Sequence, residues 1–264
     1  MIIAVWGNNG AGKSTVAIKL ANAYARKGRN VVLLDTDFVA PQINVWFPRM
    51  DVNPEASLRI VLDNAVTVET VAAKISMVKG RSNYGVMGYT KGYTVNQVTA
   101  RQDTAGELLN VLSEMADTII VDCQSNILLD ILSLVAIDKG DERVVVMTPD
   151  VKGLSWYESN VRPMQDGWEN KGLSFIRTFN KVTRSTPAEA VESVTGSAGF
   201  YLPYTAYIDD ELYSGTLGED GIYTKAKPFA RVLESLASEI DQRHADAVAK
   251  KEAAKNQVEP PKEA

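Results

Sequence analysis

The most specific chemical signal in the chain is Gly7-Asn8-Asn9-Gly10-Ala11-Gly12-Lys13-Ser14. It fits G-x-x-x-x-G-K-[ST], a pattern whose glycines let successive backbone N–H groups turn inward around an anion. The lysine after the last glycine would reach the β- and γ-phosphates of a nucleotide, and the serine hydroxyl would ligate Mg²⁺. Gly7, Asn8, Asn9, Gly10, Ala11, Gly12, Lys13, Ser14 and Thr15 are therefore the expected phosphate-binding residues, and Lys13 is also expected to be catalytic. A dinucleotide loop is the rival reading, with Asp35 placed as a ribose-binding acid. It fits worse, because Thr15 stands where the third glycine or alanine belongs and Lys13-Ser14 is left without a purpose.

Carboxylates supply the second signal. Asp35-Thr36-Asp37 closes an apolar run. Two acids two apart on an extended segment point to one side, so one can support a metal and the other orient an attacking water. A turn whose acids cap the next element is the plainer alternative. Asp122 follows the apolar run 118–121, the Walker B pattern in which a carboxylate holds Mg²⁺ through water. Ser14, Asp35 and Asp122 are the expected metal-supporting residues.

These residues need a scaffold that brings them to one edge. The apolar runs 2–6, 31–34 and 118–121 predict buried strands, 143–148, 174–180 and 200–202 read as further strands, and the periodicity of 15–27 and 104–115 predicts helices, the first stopping at Gly28. Such strands alternating with helices imply an α/β fold, a mostly parallel twisted sheet with helices on both faces, in three α/β/α layers. Ligands of such sheets sit beyond the carboxyl ends of the strands. Residues 83–93, with the near-repeat Gly88-Tyr89-Thr90 and Gly92-Tyr93-Thr94, read as strand and loop. From about 242 the chain turns Ala/Lys/Glu-rich, which predicts a fraying helix and then disorder.

Composition removes other classes. One cysteine, Cys123, forbids a disulfide framework or a Cys-rich metal site within the chain, and reads as a core thiol. One histidine, His244, excludes most histidine-based metal sites. A net charge of −5 argues against coating nucleic acid by charge alone. No signal peptide or membrane span is expected, so the chain reads as cytoplasmic. The four tryptophans read as packing. Pro41, Gln42, Trp46 and Phe47, after the second strand, read either as an apolar dimer contact or as a packed loop.

With the loop 7–14, Asp35-Thr36-Asp37 and Asp122 in this order, the chain resembles the ParA/MinD group of P-loop ATPases over residues 1 to about 240. The resemblance implies a P-loop NTPase domain over 1–241, followed by a charged tail over 242–264. It also implies ATP and Mg²⁺ as cofactors, Asp37 as the water-orienting residue, and a nucleotide-dependent homodimer that engages a cargo or adaptor protein. The run 175–181 resembles the strand whose Asn, here Asn180, contacts adenine, and Tyr201-Leu202-Pro203-Tyr204 resembles the loop that closes over the base at Pro203. Its cargo would be DNA, as in partition, or a secretion or pilus machine.

The chain departs from the family at two positions. The second loop position usually carries a lysine that crosses the dimer to the partner's phosphates, and here it is Asn8; Gln124 stands where a proline is usual. Lack of that lysine resembles the CpaE/TadZ branch, although no receiver-like domain is expected ahead of a loop starting at residue 7. With Asn8 there, either a positioning ATPase hydrolyses slowly, or another cation substitutes, or the chain is mainly a nucleotide-binding scaffold; a separate reading on the same fold is a small-molecule ATP-dependent ligase or kinase with a second pocket near Ser125 and Asn126.

Overall fold

The computed structural model describes residues 1–47, 56–90 and 101–258. Within them the elements run β1 (Ile2–Gly7), α1 (Lys13–Arg26), β2 (Val31–Asp35), α2 (Ile43–Trp46), α3 (Leu58–Leu62), α4 (Val68–Ala72), β3 (Ser76–Met77), β4 (Tyr84–Gly88), α5 (Gln102–Met115) and β5 (Thr118–Asp122). They continue with α6 (Ile131–Lys139), β6 (Glu142–Met147), α7 (Val151–Asn160), α8 (Arg162–Asn170), β7 (Ile176–Val182), α9 (Ala188–Thr195), β8 (Phe200–Pro203), α10 (Ala206–Ser214), α11 (Ile222–Lys225) and α12 (Lys227–Val258). The sheet order is β3-β4-β2-β5-β1-β6-β7-β8, parallel throughout except for the short β3 against β4.

The expected three layers are present, and the period-2 alternation of each strand divides two cores between them. Ile2, Ala4 and Trp6 of β1 join Val32, Leu34, Ile119 and Val121 against α5, α6, α7 and α8. Ile3 and Val5 join Leu33, Ile120, Val144 and Val146 against α1 and α12. Asp35 and Asp122 fall on the second parity, so both carboxylates leave the sheet on the α1 side. Gly28, at φ 84, ends α1 where the sequence places the stop.

The helix Lys227–Val258 runs unbroken across the 241/242 boundary, because its Ala, Lys and Glu residues are strong helix formers; the expected disorder of the last residues, 259–264, lies outside the described residues. Trp46 and Phe47 are buried as a packed loop, Phe47 edge-on to Tyr84, and are not an exposed contact. Of the near-repeat, Gly88-Tyr89-Thr90 ends β4, and the second copy lies outside the described residues.

Candidate functional site

The parallel strands β1, β2, β5, β6, β7 and β8 end on one edge, and the candidate residues gather there. β1 leaves the sheet at Gly7, where a Cβ would meet the Val146 carbonyl oxygen at 1.8 Å, so only glycine can begin the loop this close to β6. The chain then turns through left-handed Gly12, at φ 83, where a Cβ would also lie 2.5 Å from Asn180 Nδ2. Helix α1 starts at Lys13. Its unpaired N–H groups and positive dipole end face the loop, an arrangement suited to an anion.

Lys13 Nζ donates to Ser125 Oγ at 2.8 Å, and that hydroxyl donates to Asn9 Oδ1 at 2.7 Å. The Ser125 carbonyl accepts from the indole N–H groups of both Trp6 and Trp156, each at 3.1 Å. Two of the tryptophans therefore do more than pack: they fix the loop after β5 on which the loop lysine rests. Gln124 Nε2 donates to Asp37 Oδ1 at 2.7 Å, and the same oxygen accepts the N–H groups of Val39 and Ala40. The segments after β2 and β5 are thus tied together through Asp37.

Asp35 and Asp122 stand directly opposite each other in the β2–β5 register, 0 % and 4 % exposed. Burial, then the neighbouring Asp122 charge, hold the Asp35 carboxyl well above the usual range. Burial pushes Asp122 up to about 6, against relief from the Lys13 ammonium and a hydrogen bond from Ser14. Asp35 Oδ2 and Asp122 Oδ1 have no hydrogen-bond partner. Two buried acids with unmatched oxygens, beside a hydroxyl, fit a hard divalent cation. Among the described residues no group of three or more His, Cys, Asp and Glu forms a closed metal cage. Two carboxylates and a hydroxyl suit Mg²⁺, which keeps waters and takes phosphate oxygens.

A carboxylate whose pKa is raised in the folded state opposes folding at neutral pH. Asp35→Asn should therefore raise the metal-free melting temperature at neutral pH, and the gain should shrink as pH falls. It should also abolish any extra stabilisation that Mg²⁺ adds to bound ADP. Thermal melts with ADP, with and without Mg²⁺, check this; an unchanged melt that keeps the Mg²⁺ increment contradicts it.

A cleft of about 290 Å³ runs from the loop toward β8 and α10. Of the residues singled out in the sequence, Asn9, Gly10, Gly12, Lys13, Ser14, Thr15, Asp37, Asn180 and Pro203 line it. Asn180 Nδ2 donates to the Ala11 carbonyl at 2.7 Å, which fastens the loop to β7. Asn8 takes a different position. It is 1 % exposed and paired with Thr148 beyond β6: Oδ1 accepts the Thr148 N–H at 3.1 Å, and Nδ2 donates to its hydroxyl at 3.2 Å. The amide thus serves as a bolt inside the fold.

Sequence reasoning missed Lys181. Its Nζ donates to the Gly10 carbonyl at 2.8 Å, and it has φ 59, the one positive value at a non-glycine among the described residues. It lies in the register shift between Phe179 and Val182, a bulge that re-aims its side chain. The signal available in sequence was its place beside Asn180. Ser125, read as part of a substrate pocket, is the hub that holds Lys13.

Comparison with known proteins agrees with this geometry. A family model for the CobQ/CobB/MinD/ParA nucleotide binding domain matches residues 2–243. An uncharacterized ATP-binding protein of Methanocaldococcus jannaschii is 25 % identical over 156 residues, covering 56 % of this chain and 53 % of the relative, so the match spans about half of each. The Pyrococcus horikoshii septum site-determining protein MinD, complexed with Mg-ADP, is similar at TM-score 0.70 and 23 % identity, covering 91 % of this chain and 95 % of that one. A ParA family ATPase from Chlorobium tepidum is similar at TM-score 0.74 and 15 % identity, covering 89 % and 96 %. At these identities the solved structures establish the fold alone.

Proposed function

The chain belongs to the CobQ/CobB/MinD/ParA nucleotide-binding family, and on that premise we propose that it binds MgATP, hydrolyses it slowly, and uses the nucleotide to switch between monomer and face-to-face dimer in positioning a cargo. One observation carries the reading. The phosphate loop, Lys13, Ser14 and the opposed Asp35–Asp122 pair converge on one sheet edge, and a cleft there leads on to Asn180 and Pro203.

In this reading Lys13 leaves Ser125 for the β- and γ-phosphates. Ser14, Asp35 and Asp122 hold Mg²⁺, which when bound supplies charge neutralisation for the phosphates. Asp37, held by Gln124, orients the attacking water, and Asn180 and Pro203 border the base. Support for the dimer comes from exposed apolar side chains around the loop. These are Val39 after β2, Leu128 and Leu129 after β5, and Val151 at the start of α7, 63 %, 73 %, 70 % and 85 % exposed. They rim the phosphate edge, where a second copy facing the first would cover them. The cargo would be DNA, a secretion or pilus machine, or an adaptor protein. Among the described residues no helix is long and apolar enough to cross a membrane.

ATP turnover tests the hydrolytic part. Asp37→Ala should lower kcat by about 10²-fold, with MgATP affinity kept within a few-fold. Equal turnover in both proteins contradicts the role given to Asp37. The buried Asn8 amide favours a second reading, a nucleotide-binding scaffold. MgATP-dependent dimerisation with turnover at the protein-free background would select it.

A further inference from the structure

We propose that Lys152, in the first turn of α7, is the second cation of the phosphate site and stabilises the charge that develops on the γ-phosphate during hydrolysis. This rests on the MgATP reading above. Phosphoryl transfer is accelerated mainly by positive groups placed where phosphate charge moves. The loop itself supplies only Lys13. Position 8 supplies an amide, and that amide is locked on Thr148.

The same lock sets Lys152 in place. Thr148 leads into α7, whose N-terminus is capped by Asp150, accepting the Gly153 N–H at 2.8 Å. At Gly153 a Cβ would lie 2.0 Å from the Thr148 carbonyl oxygen, so the first turn of α7 presses directly on Thr148. Asn8 therefore ties the start of the phosphate loop to the start of α7. In consequence the Lys152 ammonium stands 4.0 Å from the point where a side chain at Gly10 would begin. Gly10 has none, so no side chain of the loop stands between that glycine and the ammonium.

Two further facts point the same way. Lys152 is exposed, and among the described residues no hydrogen bond or ion pair engages its ammonium. A positive charge in the first turn of a helix also opposes the helix dipole. Lys181 reaches the same glycine, but its ammonium is bound to the Gly10 carbonyl.

In the hydrolysis, the water oxygen bonds to the γ-phosphorus as the bond from that phosphorus to the bridging oxygen breaks. The electron pair stays on the leaving ADP oxygen, and a water proton passes to the released inorganic phosphate. Lys152 remains protonated throughout and acts by charge.

Binding of MgADP alone and of MgADP with aluminium fluoride, a mimic of the transferring phosphoryl group, separates this role from ground-state binding. The wild type, Lys152→Ala and Lys152→Arg are compared by calorimetry, with melting temperature as the control for folding. Lys152→Ala should bind MgADP within about threefold of wild type and the fluoride complex about 10²-fold more weakly. Lys152→Arg should restore most of the loss, because the charge is kept. Equal affinity of Lys152→Ala and wild type for the fluoride complex overturns the proposal, as does an Arg variant no better than Ala. If the wild type binds neither ligand, the MgATP reading itself fails, which is a distinguishable outcome.

Discussion

Lys13→Ala is expected to weaken MgATP binding by about 10²-fold or more and to bring turnover to the protein-free background. The cause is charge. Lys13 is the cation that the loop presents at the start of α1, and it rests 2.8 Å from Ser125 Oγ, a neutral partner it can exchange for phosphate oxygens. A charge-assisted hydrogen bond to phosphate is about twice as strong as a neutral one, and losing one such group costs about 3–4 kcal/mol where charge develops. Lys13 also relieves Asp122, so its removal leaves the opposed carboxylates with less positive charge nearby. Lys13→Arg should not rescue, since a planar guanidinium cannot take the place of a compact ammonium under a tight loop. Calorimetric titration and phosphate release check both effects; a Lys13→Ala protein within threefold of wild type in affinity contradicts the placement of the phosphates.

The largest stability effect is expected far from the phosphates. Lys19→Met should destabilise the protein by about 3–5 kcal/mol, read from urea unfolding. Lys19 lies on α1 with its side chain 0 % exposed, 2.7 Å from Glu211 of α10, itself 1 % exposed, and it also donates to the Glu219 carbonyl at 2.9 Å. Burial lowers the Lys19 pKa and raises that of Glu211, so each depends on the other to stay charged. Removing one partner leaves a buried, uncompensated charge, whereas removing both does not. The double variant Lys19→Met/Glu211→Leu should recover most of the loss. Because α10 borders the cleft through Ile208, Asp209 and Leu212, the single variant should also weaken nucleotide binding. Equal losses in the single and double variants contradict the pairing.

The elements that could be read from sequence are those whose burial leaves a local mark. β1, β2, β5 and β6 are covered on both faces and carry apolar runs, the one in β6 following its charged first residues Glu142 and Arg143. β4 gave a weaker mark, because Gly85 and Gly88 are poor strand formers; they stand there since Ile75 and Ile43 fill the space a side chain would need. Part of the site was legible for a similar reason. Asp35 and Asp122 each end an apolar strand and Asp37 follows two residues after β2, while Lys13 and Ser14 open α1 behind the glycine-rich turn that follows β1.

Pairings across long sequence distance were not legible. Asn8 was visible as a departure from the family, but its partner Thr148 is 140 residues away, and only the β1–β6 pairing brings them together. Ser125 owes its fixed position to Trp6 and Trp156, two residues with no local pattern in common. Lys152 is hidden in the same way, since nothing around Val151-Lys152-Gly153 points to a loop that begins at residue 7.

All of these roles require that the edge formed by Gly7, Lys13, Asp35 and Asp122 grips a nucleoside triphosphate with its metal. Isothermal titration of the full chain with ATP, in Mg²⁺ and again in excess chelator, reads that grip without an intermediate step. A saturable heat with one nucleotide per chain is expected, weakening sharply when Mg²⁺ is removed. Protein that melts cooperatively yet gives no saturable heat with ATP or GTP in Mg²⁺ would refute it.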